Sequence, residues 1–190
     1  MKKLILILSF LFFPVASNSG DLEFYKEELK FSVDKDNFIV DGIYYFTNLG
    51  KNPIEQNLLY PFPLTNMGYV DSIYIFDLDR NLEIENRKVE RFGTFNIKLE
   101  PFSTGKVSVH YIQKITSDYC KYVFKSSLSW RRPIESSSFQ LKIPKDLKID
   151  SISYQIDSTV VLDKHNVYFW EFKNFYPNKN FEFWFHKAKK

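Results

Sequence analysis

Residues 43–63 read IYYFTNLGKNPIEQNLLYPFP, and this stretch decides the fold class. Side chains alternate between the two faces of a strand, so Tyr44 and Phe46 point to one face and Tyr45 points to the other. Residues 50–53 supply a turn, because glycine accepts positive φ and proline fixes φ. The next apolar run reaches Pro61, which has no N–H to donate, so that strand must end there or lie at an edge.

The rest of the chain repeats this pattern of short strands and turns. No segment shows a helical apolar period over eleven or more residues. Strands recurring every 8 to 12 residues favour an all-β fold, a single antiparallel β-sandwich of about ten strands, immunoglobulin-like or jelly-roll-like. Residues 101–105 and 173–180 are predicted to close hairpins. Residues 18–190 are expected to form this one domain.

The N-terminus predicts export. Lys2 and Lys3 precede an apolar run over residues 4–13, and small residues follow near Ser17. These features are typical of a secretory signal peptide over residues 1–17, cleaved after Ser17. The run is shorter than the ~20 residues of a transmembrane helix, although an uncleaved N-terminal anchor remains an alternative. No cysteine lies near its end, so we expect a periplasmic or extracellular protein that is not a lipoprotein.

Charge and cysteine content exclude several classes of protein. The formal net charge of +3 falls to +1 when Lys2 and Lys3 are removed, so nothing predicts a nucleic-acid partner. No later stretch is long enough to span a membrane. Cys120 is the single cysteine and can form no intramolecular disulfide. It alternates with Tyr122 and Phe124, which predicts a buried thiol.

No motif predicts catalysis, a metal or a cofactor. The sequence has no Gly-x-Ser-x-Gly elbow, no glycine-rich phosphate loop and no paired His or Cys at metal-ligand spacing. Residues 77–83 open like a calcium loop, but Leu82 and Lys88 stand where that loop needs Gly and Glu. We therefore predict a hairpin that turns at residues 79–81.

The C-terminal strands supply one candidate binding face. If residue 172 pairs with residue 181, the core face of this hairpin holds Tyr168, Trp170, Phe172, Phe181, Phe183 and Phe185. The opposite face then carries the predicted ligand-binding set: Phe169, Trp184, Glu171, Glu182 and His186. An aromatic pair beside carboxylates is an arrangement that can stack on a sugar and bond its hydroxyls. Simple packing of this face, or a bulge that changes the register, is the alternative.

Two other segments are candidates for recognition. Residues 60–63 could form a free strand edge to which a partner strand adds, or the prolines could simply guard against aggregation. Residues 130–132, WRR, could form a cation–π or anion site, or a surface loop with a half-buried Trp130.

Three short patterns resemble exported bacterial β-sandwich proteins that are themselves uncharacterised: Tyr44-x-Phe46-x-Asn48, Tyr60-Pro61-Phe62-Pro63, and Trp130 with Pro133. The resemblance covers part of the chain and implies the same fold and export, but it transfers no active site. We expect an exported, non-enzymatic binding protein that recognises an envelope protein partner. The alternatives are a carbohydrate-binding module that uses the C-terminal face for a glycan, and an exported hydrolase.

Overall fold

The computed structural model describes residues 20–63 and 67–188, so the predicted signal peptide, residues 1–17, lies outside the described residues. The described part contains one 3₁₀ helix, Lys125–Trp130, and fourteen strands. These are β1 (Leu22–Asp34), β2 (Asn37–Asn48), β3 (Ile54–Pro61), β4 (Val70–Asp77), β5 (Leu82–Glu83), β6 (Asn86–Lys88), β7 (Phe92–Leu99), β8 (Thr104–Lys114), β9 (Tyr119–Tyr122), β10 (Ile134–Pro144), β11 (Leu147–Ile152), β12 (Ser158–Val161), β13 (His165–Phe175) and β14 (Phe181–Lys187).

The strands form one large mixed sheet and two small antiparallel sheets. The large sheet has the order β12-β13-β10-β1-β2-β8-β4-β5, and the small sheets have the orders β11-β14-β9 and β3-β7-β6. The prediction of an all-β fold is therefore confirmed. A purely antiparallel sandwich of about ten strands is not what the structure shows, because β1 and β10 pair in parallel and the described residues contain fourteen strands.

Two causes explain these differences. The parallel pair joins Lys26 to Ser136, and residues so far apart in sequence leave no local turn signal for the pairing. Residues 82–88 hold two short strands that join different sheets, since β5 pairs with β4 and β6 pairs with β7, and these strands raise the count above ten. After β9 ends at Tyr122, the 3₁₀ helix begins at Lys125.

Both small sheets cover the same face of the large sheet, and aromatic rings fill the space between them. Phe31 on β1 stacks on Phe181 of β14 with ring centroids 4.7 Å apart. Tyr44 on β2 meets Tyr60 of β3 edge to face at 5.7 Å. Val107, Val109 and Tyr111 of β8 are buried, and Cys120 is a buried thiol as predicted. Burial of this apolar surface is the main stabilising contribution to the fold.

Three of the predicted turns carry the chain between the two layers. Residues 49–53 lead from β2 in the large sheet to β3 in a small one, and residues 100–103 lead from β7 to β8. Residues 176–180 lead from β13 to β14. The hairpins predicted at residues 101–105 and 173–180 are therefore wrong, because the strands on either side lie in different sheets and face each other through the core. Within the described ranges, no helix has the length and apolar character needed to cross a bilayer.

Candidate functional site: a cleft beside a free strand edge

A cleft lies between β3 and the segment that follows β9. Its cavity measures about 440 Å³, and its floor comes from the large sheet through Phe24, Glu27, Tyr44 and Phe46. A second cavity of about 530 Å³ adjoins it and shares Phe24 and Trp130 with it. The cleft thus runs along β3, and its 440 Å³ part lies within the roughly 300–1,000 Å³ typical of ligand sites.

The edge of β3, rather than one of its faces, borders the cleft. Five consecutive residues, 57–61, line the cavity, whereas a face would contribute only alternate residues. The small sheet has the order β3-β7-β6, so β3 has β7 on one side and no strand of the described residues on the other. The free edge predicted at residues 60–63 is therefore present, and it belongs to β3, which begins well before residue 60.

Alternation along an antiparallel pair shows which backbone groups of β3 are free. The Phe62 N–H donates to the Arg91 carbonyl at 2.9 Å, just beyond the end of β3, so Phe62 bonds toward its partner. Residues of such a pair alternate between bonding the partner strand and pointing away from it. Pro61, Leu59 and Asn57 consequently direct their backbone groups away from β7. Proline is tolerated at position 61 because the backbone there points away from β7, so no hydrogen bond to β7 requires its missing N–H.

A β-bulge in β1 places a carboxyl group at the bottom of the cleft. Phe24 lies opposite Phe46 of β2 and Lys26 lies opposite Tyr45, so Tyr25 is an extra residue between two regular stretches. The bulge shifts the alternation by one residue, and both Phe24 and Glu27 are therefore buried on the inner face. Glu27 lies opposite Tyr44 on one side and opposite Ser137 of β10 on the other.

Glu27 is a buried acid with a single hydrogen-bond donor among the described residues. Its side chain is 3% exposed, and the Ser137 hydroxyl donates to one carboxyl oxygen at 2.5 Å. Burial raises the pKa of the Glu27 carboxyl to about 7, although the hydrogen bond from Ser137 lowers it. No Lys, Arg or His of the described ranges forms an ion pair with it.

Three tyrosine hydroxyls meet beside Glu27 and close the inner end of the cleft. The Tyr44 hydroxyl lies 2.7 Å from that of Tyr60 and 2.8 Å from that of Tyr122, and the Tyr60 hydroxyl lies 3.3 Å from that of Tyr122. Burial is the main cause that raises the pKa of each of these phenols well above its ordinary value. The three hydroxyls can satisfy one another and stay neutral. They join β2, β3 and β9 at one point.

The segment after β9 forms the far wall of the cleft. Trp130 is half-buried, as predicted, and packs against Phe24 and Phe46 with ring centroids 6.0 and 5.9 Å away. Arg131 has a left-handed backbone with φ of 57°, which ends the 3₁₀ helix. Arg132 lies 3.4 Å from the Glu23 carboxyl on β1. The wall is therefore held to β1 by an aromatic contact and an ion pair.

The structure does not bring the predicted C-terminal set together. Phe169 and Glu171 lie on β13, on the outer face of the large sheet, and both line one shallow cavity. Trp184, Glu182 and His186 lie on β14, on the outer face of the other layer. The supposed pairing of residues 172 and 181 is wrong, so these two groups point to opposite sides of the molecule.

The residues on β14 have partners of their own. Glu182 lies 3.0 Å from the Lys121 ammonium and forms an ion pair with it. His186 lies 2.6 Å from Asp150, and the Trp184 ring lies 4.8 Å from that of Tyr119. Trp184 stays 43% exposed.

The calcium-like loop forms the predicted hairpin. Asp77 lies opposite Leu82, and one of its carboxyl oxygens accepts the N–H groups of Asp79 and Arg80 at 3.0 and 2.8 Å. Asp79 accepts the N–H of Lys106 at 2.7 Å. Within the part of the chain that is described, no group of three or more His, Cys, Asp or Glu side chains is placed to hold a metal ion.

Sequence reasoning missed Glu27, although a signal for it exists. Glu27 shares its parity with Leu29, Phe31 and Val33, so one acid stands in an apolar series. Phe24 has the opposite parity, and only a bulge between them lets both face inward. The hydroxyl triangle has no such signal, because its three tyrosines come from strands far apart in sequence.

The fold has counterparts among solved structures, whereas the sequence matches no protein-family model and no curated protein. A "putative nutrient binding protein" from Legionella pneumophila superposes with a TM-score of 0.70 at 12% identity, over 87% of this chain and 67% of that one. An M1 zinc metallopeptidase from Deinococcus radiodurans superposes with a TM-score of 0.53 at 8% identity, over 86% of this chain. This chain spans 42% of the peptidase. At these identities the likeness shows the fold alone.

Proposed function

We propose that this chain is an exported, non-enzymatic binding protein that holds an extended segment of an envelope protein partner along the free edge of β3. The observation that carries the proposal is that β3 is unpaired on the side where residues 57–61 line an aromatic cleft. A strand edge supplies affinity through backbone hydrogen bonds, and the adjoining pocket supplies selectivity through side chains.

The composition of the cleft supports binding rather than catalysis. Its 440 Å³ part is lined by one carboxyl group, several hydroxyls and many aromatic rings, and no His, Lys or Cys of the described residues lines it. Apart from Glu27, its titratable groups are the phenols of Tyr44, Tyr60 and Tyr122, and burial holds the pKa of each well above its ordinary value. These phenols therefore stay protonated at neutral pH and are poorly matched to proton transfer there. Aromatic side chains are also the residues that most often dominate binding energy at interfaces.

A small organic ligand is the second candidate occupant. The cavity volume suits such a molecule, and the Legionella protein of similar fold carries the name of a nutrient binding protein. The outward backbone groups of Asn57 and Leu59 favour the extended segment, because a strand uses them in series. The Asn57 carbonyl accepts a solvent-exposed hydrogen bond from the Gln56 side chain at 3.2 Å, which a docked strand would displace. The two candidates predict different results when this edge is blocked.

Export belongs to the same proposal. Its support is the basic start and the short apolar run of residues 1–17. The glycan alternative loses its geometric basis, because its five residues are divided between opposite faces. We therefore place recognition at the cleft.

Panning of a displayed random heptapeptide library on the purified protein tests this function. The diagnostic variant is Leu59→Pro, because it removes one outward N–H and leaves the β3–β7 ladder intact. The Leu59 side chain is 57% exposed, so little burial is lost. The matched control is Val161→Pro, the same change on β12, the edge strand of the large sheet. The Leu162 N–H donates to the His165 carbonyl of β13 at 2.8 Å. Because the direction alternates along an antiparallel pair, the N–H of Val161 points outward, like that of Leu59.

We expect an enriched peptide to bind the wild type and the Val161→Pro variant, and to lose affinity for Leu59→Pro by about tenfold or more. Near-ultraviolet circular dichroism checks that both variants keep the native packing. Equal affinity for Leu59→Pro would place the peptide elsewhere. Failure of the library to yield any binder would refute recognition of an extended segment.

A further inference from the structure

Glu27 is the one buried carboxyl among the described residues, and its charge is left without a counterion. It lies at the bottom of the cleft and is 3% exposed, and Ser137 is its sole hydrogen-bond donor in the described ranges. Burying an ionised group without a partner is costly, so such a group is either protonated or paired with a cation. The pKa of about 7 means that a modest gain from an arriving cation is enough to ionise it at neutral pH.

The groups that face Glu27 are neutral. Tyr44 of β2 and Ser137 of β10 lie directly opposite it in the large sheet. Tyr60 of β3 and Tyr122 of β9 approach from the other layer, where their hydroxyls bond that of Tyr44. None of these four groups carries a positive charge, so Glu27 is either protonated or paired with a cation that comes from outside the described chain.

The walls around this carboxyl suit an organic cation. Phe24, Phe46 and Trp130 form one packed aromatic group at the cleft, and Tyr44 lies beside Phe24 at 5.9 Å. The faces of aromatic rings carry negative charge and attract ammonium groups, most strongly where water is excluded. A hydrated metal ion would find too few oxygen ligands here, because metals of the calcium type need six to eight.

The small exposure of Glu27 discriminates between the two basic side chains. Only 3% of this residue is exposed, and the Ser137 hydroxyl already bonds one carboxyl oxygen at 2.5 Å. A guanidinium group is a wide planar fork that binds a carboxylate best through two parallel hydrogen bonds to both oxygens. An ammonium group is a compact point charge that needs access to one oxygen only. The narrow access therefore favours lysine over arginine.

This inference rests on the proposed function. We propose that the segment docked on β3 carries a lysine whose ammonium group enters the cleft and pairs with Glu27. The ammonium group then lies against the rings of Phe24, Phe46 and Trp130. The backbone of the segment bonds to the edge at Asn57 and Leu59. The side chain that points inward from the segment then reaches the floor of the cleft, because side chains of an added strand alternate as in any sheet.

A double-mutant cycle tests this pairing with a binding heptapeptide from the library. Its lysine is replaced by norleucine, which keeps most of the length and removes the charge, and separately by arginine. Each peptide is titrated by isothermal calorimetry against the wild type, against Glu27→Gln and against Glu28→Gln. Glu28 is the matched control, because it lies on the outer face and pairs with Lys26 at 2.7 Å.

We expect norleucine to weaken binding to the wild type and to Glu28→Gln by about tenfold or more, and arginine to weaken it less. Norleucine should weaken binding to Glu27→Gln clearly less than it weakens binding to the wild type, because the carboxylate is gone and only the aromatic contacts still distinguish the two peptides. A second variant, Trp130→Leu, should weaken the lysine peptide more than the norleucine peptide.

Three results would overturn the inference in distinguishable ways. Library binders without a basic residue, or an equal norleucine effect in Glu27→Gln, would refute the role of Glu27 and leave edge binding intact. No peptide binder at all would refute the proposed function and the inference with it. Thermal stabilisation by n-butylamine without any peptide binding would assign the cleft to a small organic cation and refute the docked segment as its source.

Discussion

Replacement of Glu27 by Gln should change how the stability of the protein depends on pH. The folded protein holds the Glu27 proton up to a pKa of about 7, whereas the ordinary value is 4.5. Between these values the folded state binds more protons than the unfolded state, so the free energy of unfolding falls as pH rises. The stabilisation is complete below pH 4.5 and is lost above pH 7. At about 1.4 kcal/mol for each pH unit, the loss amounts to about 3 kcal/mol.

Urea unfolding of the wild type and of Glu27→Gln at pH 5, 6, 7 and 8 measures this effect. The quantity of interest is the difference in unfolding free energy between the two proteins, because all other titrations are common to both and cancel. We expect the wild type to lose about 2.5 kcal/mol relative to the variant between pH 5 and pH 8, because part of the total loss has already occurred at pH 5.

The neighbouring residue provides a control of opposite sign. The hydrogen bond from Lys26 is the main cause that lowers the pKa of the Glu28 carboxyl. Glu28 therefore stabilises the fold above its unfolded pKa, and the stabilisation is lost as pH falls through the folded pKa. From pH 5 to pH 8 the Glu28 carboxyl is ionised in both states, so the comparison with Glu28→Gln should be flat there; it should slope the other way below pH 4.5, where a further measurement at pH 4 extends it. A difference between the wild type and Glu27→Gln that is independent of pH would refute the burial of an ionisable Glu27.

Three further predictions concern other parts of the chain. Tyr44 makes both short bonds of the hydroxyl triangle, and each bond is worth about 1 kcal/mol. In urea unfolding, Tyr44→Phe should therefore destabilise the protein by about 2 kcal/mol and Tyr60→Phe by about 1 kcal/mol. Equal losses for the two variants would contradict this order. Gly42→Ala should lower the free energy of unfolding by about 1–3 kcal/mol, since a Cβ there would overlap the Tyr44 ring that the hydroxyl triangle holds in place. An unchanged melting temperature would contradict this and show that the ring can move. Intact mass of the protein exported from a bacterial host should correspond to a chain that begins at Asn18, whereas a mass that includes Met1 would favour the uncleaved anchor.

The sequence predicted the faces of the strands better than their partners. Trp170 and Phe181 were expected to share a core, and their rings meet edge to face at 5.3 Å. They do so across the two layers of the fold rather than along one hairpin. Alternation of side chains is a local property and is easily read, whereas the choice between a hairpin and a crossing to the other layer depends on the whole core.

The same limit explains why the candidate site was only partly predicted. The free edge that ends at Pro61 was anticipated, because proline carries its own local signal. Glu27 was not anticipated. Its parity agrees with the apolar positions that follow it, but the bulge at Tyr25, which lets Phe24 face inward beside it, and its partner Ser137 on a distant strand leave no local signal. Half-burial of Trp130 was expected, but its contact with Phe24 and Phe46 joins segments more than 80 residues apart.

The parallel pairing of β1 with β10 bears on how the chain folds. Glu27 and Ser137 are 110 residues apart, yet they lie side by side in the middle of the large sheet. Such long-range contacts give a high contact order, and chains of this kind fold slowly because a long loop must close before the contact forms. Until β10 is synthesised, one edge of β1 stays open to other chains. We therefore expect the nascent chain to depend on chaperones for longer than a protein of the same size built from hairpins.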